Sequence, residues 1–390
     1  MAISKITDNS LNITDLTIAD DLTVTDDLLL ASDSAVIKFG ADAEITLTHS
    51  ADSGLILKHA ASGDDKFPIL TLQTGDTDIA VNDSLGRIAF QAPDEGAGTD
   101  AILVAASIDA ISEGDFSSSN NATTLDFQVG ASAVARGAGD GARLRLTSAG
   151  ELHLKPVSDS DGNYPIIHLQ SPESNIETND PLGEIQFSPP DEGSGTDAIL
   201  VSAAIQARAE SAFGSSTNAT ALDFKTASSE AAATKMTLSS AGSLTVPSQP
   251  SWIATGNANS NVTFASSGAY HSYTFAAETV DTTSSYNVSN GRFTAPVAGK
   301  YFVIGKLLIQ GLNSATEYYC DLIISVNGSQ KLRAASEEET YNRARTVQVS
   351  GLVDLSKDDY VQVEIRIENH SNQVSYDASS TSLFSGILIA

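Results

Sequence analysis

Asp94-Glu95 and Asp191-Glu192 are adjacent carboxylate pairs, each set in the string Pro-Asp-Glu-Gly-x-Gly-Thr-Asp. Two carboxyl groups held a few ångströms apart can cleave a glycosidic bond, one as acid and the other as nucleophile or base. Adjacent acids in a Gly-rich string are also the ordinary content of a solvated turn. Duplication preserves folding residues more readily than it copies an active site, so the pairs are read as turns. The six histidines are scattered, with no His-Glu-x-x-His or Ser-His-Asp constellation. His49 or His168 would have to ring a three-fold axis to hold an ion, and exposed or internally bonded imidazoles are the simpler account. Gly137-Ala138-Gly139-Asp140-Gly141 has no dinucleotide-binding helix after it. Asp159-Ser160-Asp161-Gly162-Asn163 lacks the distal Glu of a calcium loop. The lone thiol, Cys320, excludes an intrachain disulfide and a Cys-based zinc site within one chain. In Tyr318-Tyr319-Cys320-Asp321-Leu322 it reads as a small buried hydrophobe on a strand. No catalytic residue, cofactor or metal site is expected, and the chain reads as a non-enzyme.

Charge narrows the partners. The net charge is −28, of which residues 251–390, with 9 Lys+Arg against 13 Asp+Glu, carry −4, leaving −24 for residues 1–250. Nucleic acid is excluded, because phosphate recognition needs clustered Lys and Arg. The acid reads as a self-repelling, soluble surface, with cation sites along a stalk as the alternative. Apolar runs such as Ala101–Ile108 fall far short of a membrane span, and no basic-plus-apolar leader opens the chain. Nine of ten Tyr and the only Trp, Trp252, follow residue 250. That predicts a compact C-terminal domain behind a thinner body.

The body is repetitive. Three hexads from Asp15 to Ser32 place two apolar residues at i and i+2 and close on turn-forming residues. They predict short strands whose apolar face needs neighbours to cover it. Asp83–Val104 matches Asp180–Val201 at 16 of 22 positions, offset by 97 residues. The offset falls to 92 by Leu146 and Leu238, so a module of about 95 residues is duplicated, with five extra residues near Ala135–Gly141 in the first copy. Ile45–Leu57, Leu144–Leu154 and Met236–Val246 read as one recurring hairpin around a Gly-containing turn.

The C-terminal part reads as serial short strands. Asn290-Gly291 predicts a tight turn and Phe293 a strand. Ala295-Pro296 must end that strand, because Pro lacks the ladder N–H. After Gly299 come strands at Tyr301–Gln310, Tyr319–Val326, Thr346–Leu355, Tyr360–Ile367 and Ser382–Ile389, with a turn at Asn327-Gly328. The run Asn290-Gly291-Arg292-Phe293-Thr294-Ala295-Pro296, followed by Gly299 and Tyr301, resembles the globular head of complement component one, subcomponent q, which shares the tumour necrosis factor jelly roll. Leu355–Val363 resembles that family's penultimate corner, with Asp358-Asp359 where Gly-Asp is usual. Phe384-Ser385-Gly386 resembles its final strand. The resemblance implies a jelly-roll domain that trimerises through aromatic and aliphatic residues.

The preceding segments resemble shafts of phage tail fibres and other virion fibres, marine cyanophage structural proteins in particular. The residues that carry this are Ile45-Thr46-Leu47-Thr48-His49…Gly54-Leu55-Ile56-Leu57 and the linker Val246–Trp252. Together these imply an all-β, elongated homotrimeric fibre of repeated β modules. Residues 1–42 would attach to the virion, 43–155 and 156–250 would form the duplicated shaft, and 251–390 the head. The expected function is host-surface recognition and adsorption by a tail fibre located on the virion. Its expected partners are two further copies, other virion proteins at the N-terminus, and a host glycan or protein. A capsid-mounted fibre or decoration protein is the alternative, and a glycan-cleaving tailspike a more remote one. Polar loops of the type that grips receptors are Glu337–Arg345 and Asn369–Tyr376. Receptor-binding candidates there are Glu339, Tyr341, Asn342, Arg343, Asn369, His370, Asn372 and Tyr376.

Overall fold

A computed structural model of the chain describes residues 23–25, 27–92, 102–130, 143–156, 164–189, 199–256, 261–262, 268–310, 318–338, 345–368, 374–376 and 381–390. These form antiparallel sheets and, among the described residues, no helix. The chain divides into two compact units, 1–167 and 168–390.

In the first unit, β1 (Val36–Phe39), β2 (Ile45–Ser50) and β3 (Gly54–His59) make a three-stranded sheet in sequence order. A five-stranded meander follows: β4 (Ser84–Gln91), β5 (Val104–Ser112), β6 (Thr123–Val129), β7 (Leu144–Leu146) and β8 (Leu152–Leu154). Its register fixes what each face carries, since side chains alternate with period two. One cross-strand row reads Ile88, Ile108, Phe127, Leu144, Leu154. The next, on the other face, reads Arg87, Asp109, Asp126, Arg145, His153. The polar face is the buried one. Asp109 and Asp126 have fully buried side chains, Arg87 pairs with Asp109, and Arg145 forks onto Asp126 at 2.8 and 2.7 Å. The apolar face is open, with Phe90 54% exposed.

The second unit begins with the duplicate: β9 (Pro181–Phe187), β10 (Ala203–Ala209), β11 (Thr220–Thr226), β12 (Ala233–Leu238) and β13 (Leu244–Thr245), in the same meander order. Its apolar row is Ile185, Ile205, Phe224, Met236. The polar row has been rewritten to Glu184, Gln206, Asp223, Thr237, Thr245. New partners compensate, as Arg208 Nε donates to Asp223 at 2.7 Å and Lys225 lies 3.4 Å from Glu184. Glu113 accepts hydrogen bonds from the Ser148 amide and hydroxyl, and Glu210 accepts the same pair from Ser240. Those bonds hold both carboxyls below the usual glutamate range. They tie one end of each meander rather than presenting an acid.

Residues 251–390 fold as a two-sheet sandwich. Its strands are β14 (Ser251–Thr255), β15 (Asn261–Val262), β16 (Tyr270–Tyr273), β17 (Ala277–Asp281), β18 (Tyr286–Asn287), β19 (Arg292–Thr294) and β20 (Gly299–Gln310). Then come β21 (Tyr318–Val326), β22 (Ser329–Glu338), β23 (Arg345–Leu355), β24 (Tyr360–Glu368), β25 (Val374–Tyr376) and β26 (Leu383–Leu388). The first sheet runs β23-β20-β26-β14-β17, with β25 also on β20 and β15 on β25. The second runs β18-β19-β24-β21-β22, with β16 also on β24.

The main apolar core lies between these sheets and contains Trp252, Phe275, Phe293, Tyr301, Leu307, Leu322, Val363 and Phe384. Trp252 stacks on Phe293 at 3.7 Å, and Phe384 meets it edge-on at 5.3 Å. The resemblance motifs acquire physical reasons here. Gly291 has φ +69°, and a Cβ on it would sit 2.6 Å from the Tyr273 carbonyl oxygen. Gly386 faces Trp252 across the β14–β26 ladder, where a Cβ would lie 2.2 Å from the indole. Cys320 is buried in the same core, as its apolar setting in the sequence predicts, and burial pushes its thiol up to about 12.

Several expectations change. The second and third recurring hairpins belong to the modules. β7–β8 and β12–β13 are the last two strands of each meander, because Leu144 and Leu146 continue the ladder of Phe127 and Leu125. The third hexad, Asp27–Ser32, is exposed and forms no strand; the first two fall mostly outside the described residues. The loop expected at Glu337–Arg345 is shorter than its polarity suggested. Glu337 and Glu338 finish β22, a strand that register with β21 extends, and Arg345 opens β23. Tyr376, expected in a loop, lies on β25, where the alternation Val374-Ser375-Tyr376 pairs with β15 and β20.

Candidate functional site

Strand register gathers the ends that carry the two polar loops. β22 ends at Glu338 opposite Tyr318, and β24 ends at Glu368 opposite Tyr319. In the other sheet, β23 begins at Arg345 opposite Ile309, and Tyr376 of β25 is also opposite Ile309. Connections of six and seven residues, 339–344 and 311–317, join the two sheets there. All these termini therefore occupy one end of the sandwich. Glu339, Tyr341, Asn342, Arg343, Asn369, His370 and Asn372 lie outside the described residues, in the connections that spring from this end.

The chain enters at the opposite end. Ser251 pairs with Ile387, which pairs with Phe302. The Leu388 amide donates to the Pro250 carbonyl at 2.9 Å, and the Lys300 amide donates to Ala390 at 2.6 Å. From Phe302 to Ile309 is seven residues of strand, about 23 Å at roughly 3.3 Å per residue. A groove of about 530 Å³ lined by Ser284, Tyr286, Asn287, Thr294, Pro296 and Asp358 is open and holds no convergent set of titratable groups.

Between the two ends, the outer face of the second sheet is a bonded polar surface. Asp321 on β21 has a fully buried side chain. Arg333 of β22 reaches one of its oxygens at 3.0 and 2.8 Å, and Arg366 of β24 reaches the other at 3.0 and 2.7 Å. Arg366 also lies over the Tyr270 ring at 5.1 Å. One strand further along, Arg292 covers the Tyr360 ring at 3.9 Å and donates to Gln362 at 2.9 Å. Bidentate forks of this kind fix both partners, so the face is a stiff support for the loop-bearing strand ends rather than a source of free protons. Sequence reading missed the Asp321 clamp. Its arginines lie 12 and 45 residues away, and only strand order brings them to either side of β21.

The acid pairs Asp94-Glu95 and Asp191-Glu192, the string Gly137–Gly141 and the calcium-like Asp159–Asn163 lie outside the described residues. His49 is exposed on β2 and His168 is exposed beyond any strand. Among the described residues, no three His, Cys, Asp or Glu groups converge as a metal site would require.

The family model described as the C1q domain matches residues 257–389, so the C-terminal part of the chain carries a C1q domain. Among solved structures, the chain is similar to the globular domain of a zebrafish complement 1qA protein, with 18% identity over 36% of this chain and 98% of that one, at a TM-score of 0.25. None of the curated proteins matches.

Proposed function

We propose that this chain is a homotrimeric virion fibre of a bacteriophage whose C-terminal C1q domain recognises the host surface during adsorption. The observation that carries the reading is polarity within that domain. The chain arrives at Pro250 and Ser251 at one end, and the connections bearing Tyr341, Asn342, His370 and Asn372 leave from the other. A stalk joined at the base thus leaves its polar loops clear for a receptor. Trimerisation finds support in the first sheet's outer face, where Leu352 is 56% exposed beside Phe302, and Ile387 and Ile253 are exposed on neighbouring strands. Three copies would supply weak sites in parallel, raising avidity without strengthening any single contact. Residues 1–42 then serve attachment to the virion.

The test is competition. Purified full-length chain should block adsorption of the phage to susceptible cells, and Tyr341→Ala combined with Asn342→Ala should lose the block while keeping the melting temperature. A chain that neither binds cells nor competes at saturating concentration would overturn the reading.

A further inference from the structure

Each module is preceded by a segment that has the composition of a buried strand and, among the described residues, no strand partner. The first is Phe67-Pro68-Ile69-Leu70-Thr71-Leu72-Gln73, and the second is Tyr164-Pro165-Ile166-Ile167-His168-Leu169-Gln170. Both lie outside every sheet and turn, and among the described residues neither backbone makes a hydrogen bond. Every residue in both is exposed, Ile69 at 72% and Ile166 at 69%. Read as strands, they are apolar on both faces, the pattern of a strand covered from both sides. Unpaired peptide groups alternating with open Ile and Leu are what an added strand offers to a partner.

One end of each segment is fixed. A Cβ on Gly86 of β4 would lie 2.9 Å from the Leu72 Cβ, and a Cβ on Gly183 of β9 would lie 2.9 Å from the Leu169 Cβ. Both glycines belong to the apolar faces of their meanders, at edge strands. Each segment is therefore an arm anchored beside an open apolar face. Arm and face were duplicated together, and both kept their character. Ile88 and Ile185 are each 46% exposed, as Phe90 and Phe187 are each 54%. The buried polar rows were meanwhile rewritten.

We propose that these arms and faces join copies of this chain. Each arm pairs its backbone with a neighbouring copy and lies against the apolar face of that copy's module, at both levels of the duplication. The proposal rests on the trimeric reading above and extends it from the C-terminal domain to the body. A second copy is the occupant for two reasons. Chains of net charge −28 can approach closely only through surfaces free of charge, and these faces are such surfaces. At about 200 Å² per large apolar side chain, the half-open residues leave roughly 750 Å² on the first module and roughly 500 Å² on the second. Two modules then exceed the about 800 Å² per partner of a stable interface. A patch of that size on a lone chain would be an aggregation hazard.

Two measurements on the full-length protein decide. In amide hydrogen exchange of the native assembly, Ile69–Gln73 and Ile166–Gln170 are expected to exchange at least ~100-fold slower than unstructured peptide, although no backbone group among the described residues of the same chain bonds to them. Chains carrying Ile69→Cys, co-expressed with chains carrying Phe127→Cys, are expected to form an interchain disulfide under mild oxidation, since native Cys320 is buried. Fast exchange at both arms overturns the proposal. So does a trimer by light scattering that gives no cross-link, a result that leaves the fibre reading standing. A monomer overturns both. Should the Cys variants fail to fold, exchange on the unaltered protein decides alone.

Discussion

Trp252 and Gly386 face each other across two strands so closely that a single added carbon at Gly386 would fall 2.2 Å from the ring. The indole, fully buried, uses that space to stack on Phe293. The final strand of the C1q domain therefore carries glycine at this position for packing, not for an unusual backbone angle. Gly386→Ala is expected to destabilise the domain by about 1–3 kcal/mol through overpacking. Denaturant unfolding followed by the fluorescence of the sole Trp measures this, and an unchanged midpoint would refute the packing account.

Asp321 sits between two guanidinium forks on the adjacent strands. Asp321→Ala leaves Arg333 and Arg366 facing each other without the charge that joins them. The loss is about 1–3 kcal/mol, below that of a fully buried pair, because the two guanidiniums left behind are 40% and 22% exposed. Arg333→Gln should cost less, because that side chain is 40% exposed and solvent screens it. Thermal melts of the two variants should keep this order.

Asp223 gives the second module an acid limb. Burial alone would raise its pKa, but hydrogen bonds from Arg208 and Thr237 and the nearby positive charge hold it below the ordinary 3.8. A carboxylate depressed in the folded state stabilises fully above its unfolded pKa, and that contribution is lost as pH falls through the folded value. The gap in melting temperature between the parent and Asp223→Asn should be constant from pH 7 to 5 and close below about pH 3.8. A gap that persists unchanged at pH 2 would rule out ionisation as its cause.

Cys320 lies in the core with its thiol pushed up to about 12, chiefly by burial and further by Asp321. Thiolate is the reactive form, so the native protein should resist a thiol reagent at pH 8 and take up one label per chain after denaturation. Stoichiometric labelling of the native state would show that the strand opens.

Much of this architecture is legible along the chain because its causes are local. Pro296 ends β19 wherever the strand lies, since proline has no ladder N–H. Asn327-Gly328 adopts φ values of +50° and +77°, as a two-residue hairpin requires. The 97-residue offset shows a duplication before any sheet is seen. Boundaries failed where pairing overrides composition: Glu337 and Glu338 are polar enough for a loop, yet register with β21 carries β22 through them.

The sequence by itself determined that the chain is built of short strands and repeated, because period, turn chemistry and repeat identity are properties of neighbouring residues. Only the tertiary structure decided which side of each sheet is covered. Alternation along β5 and β6 separates Ile108 and Phe127 from Asp109 and Asp126, but it cannot say that the carboxylates are the buried set. That inversion follows from Arg87 and Arg145 arriving on flanking strands to neutralise them, a long-range pairing. The same holds for the loop-bearing ends of β22 and β24. Residues 338 and 368 meet at one end of the domain because β21 runs between them.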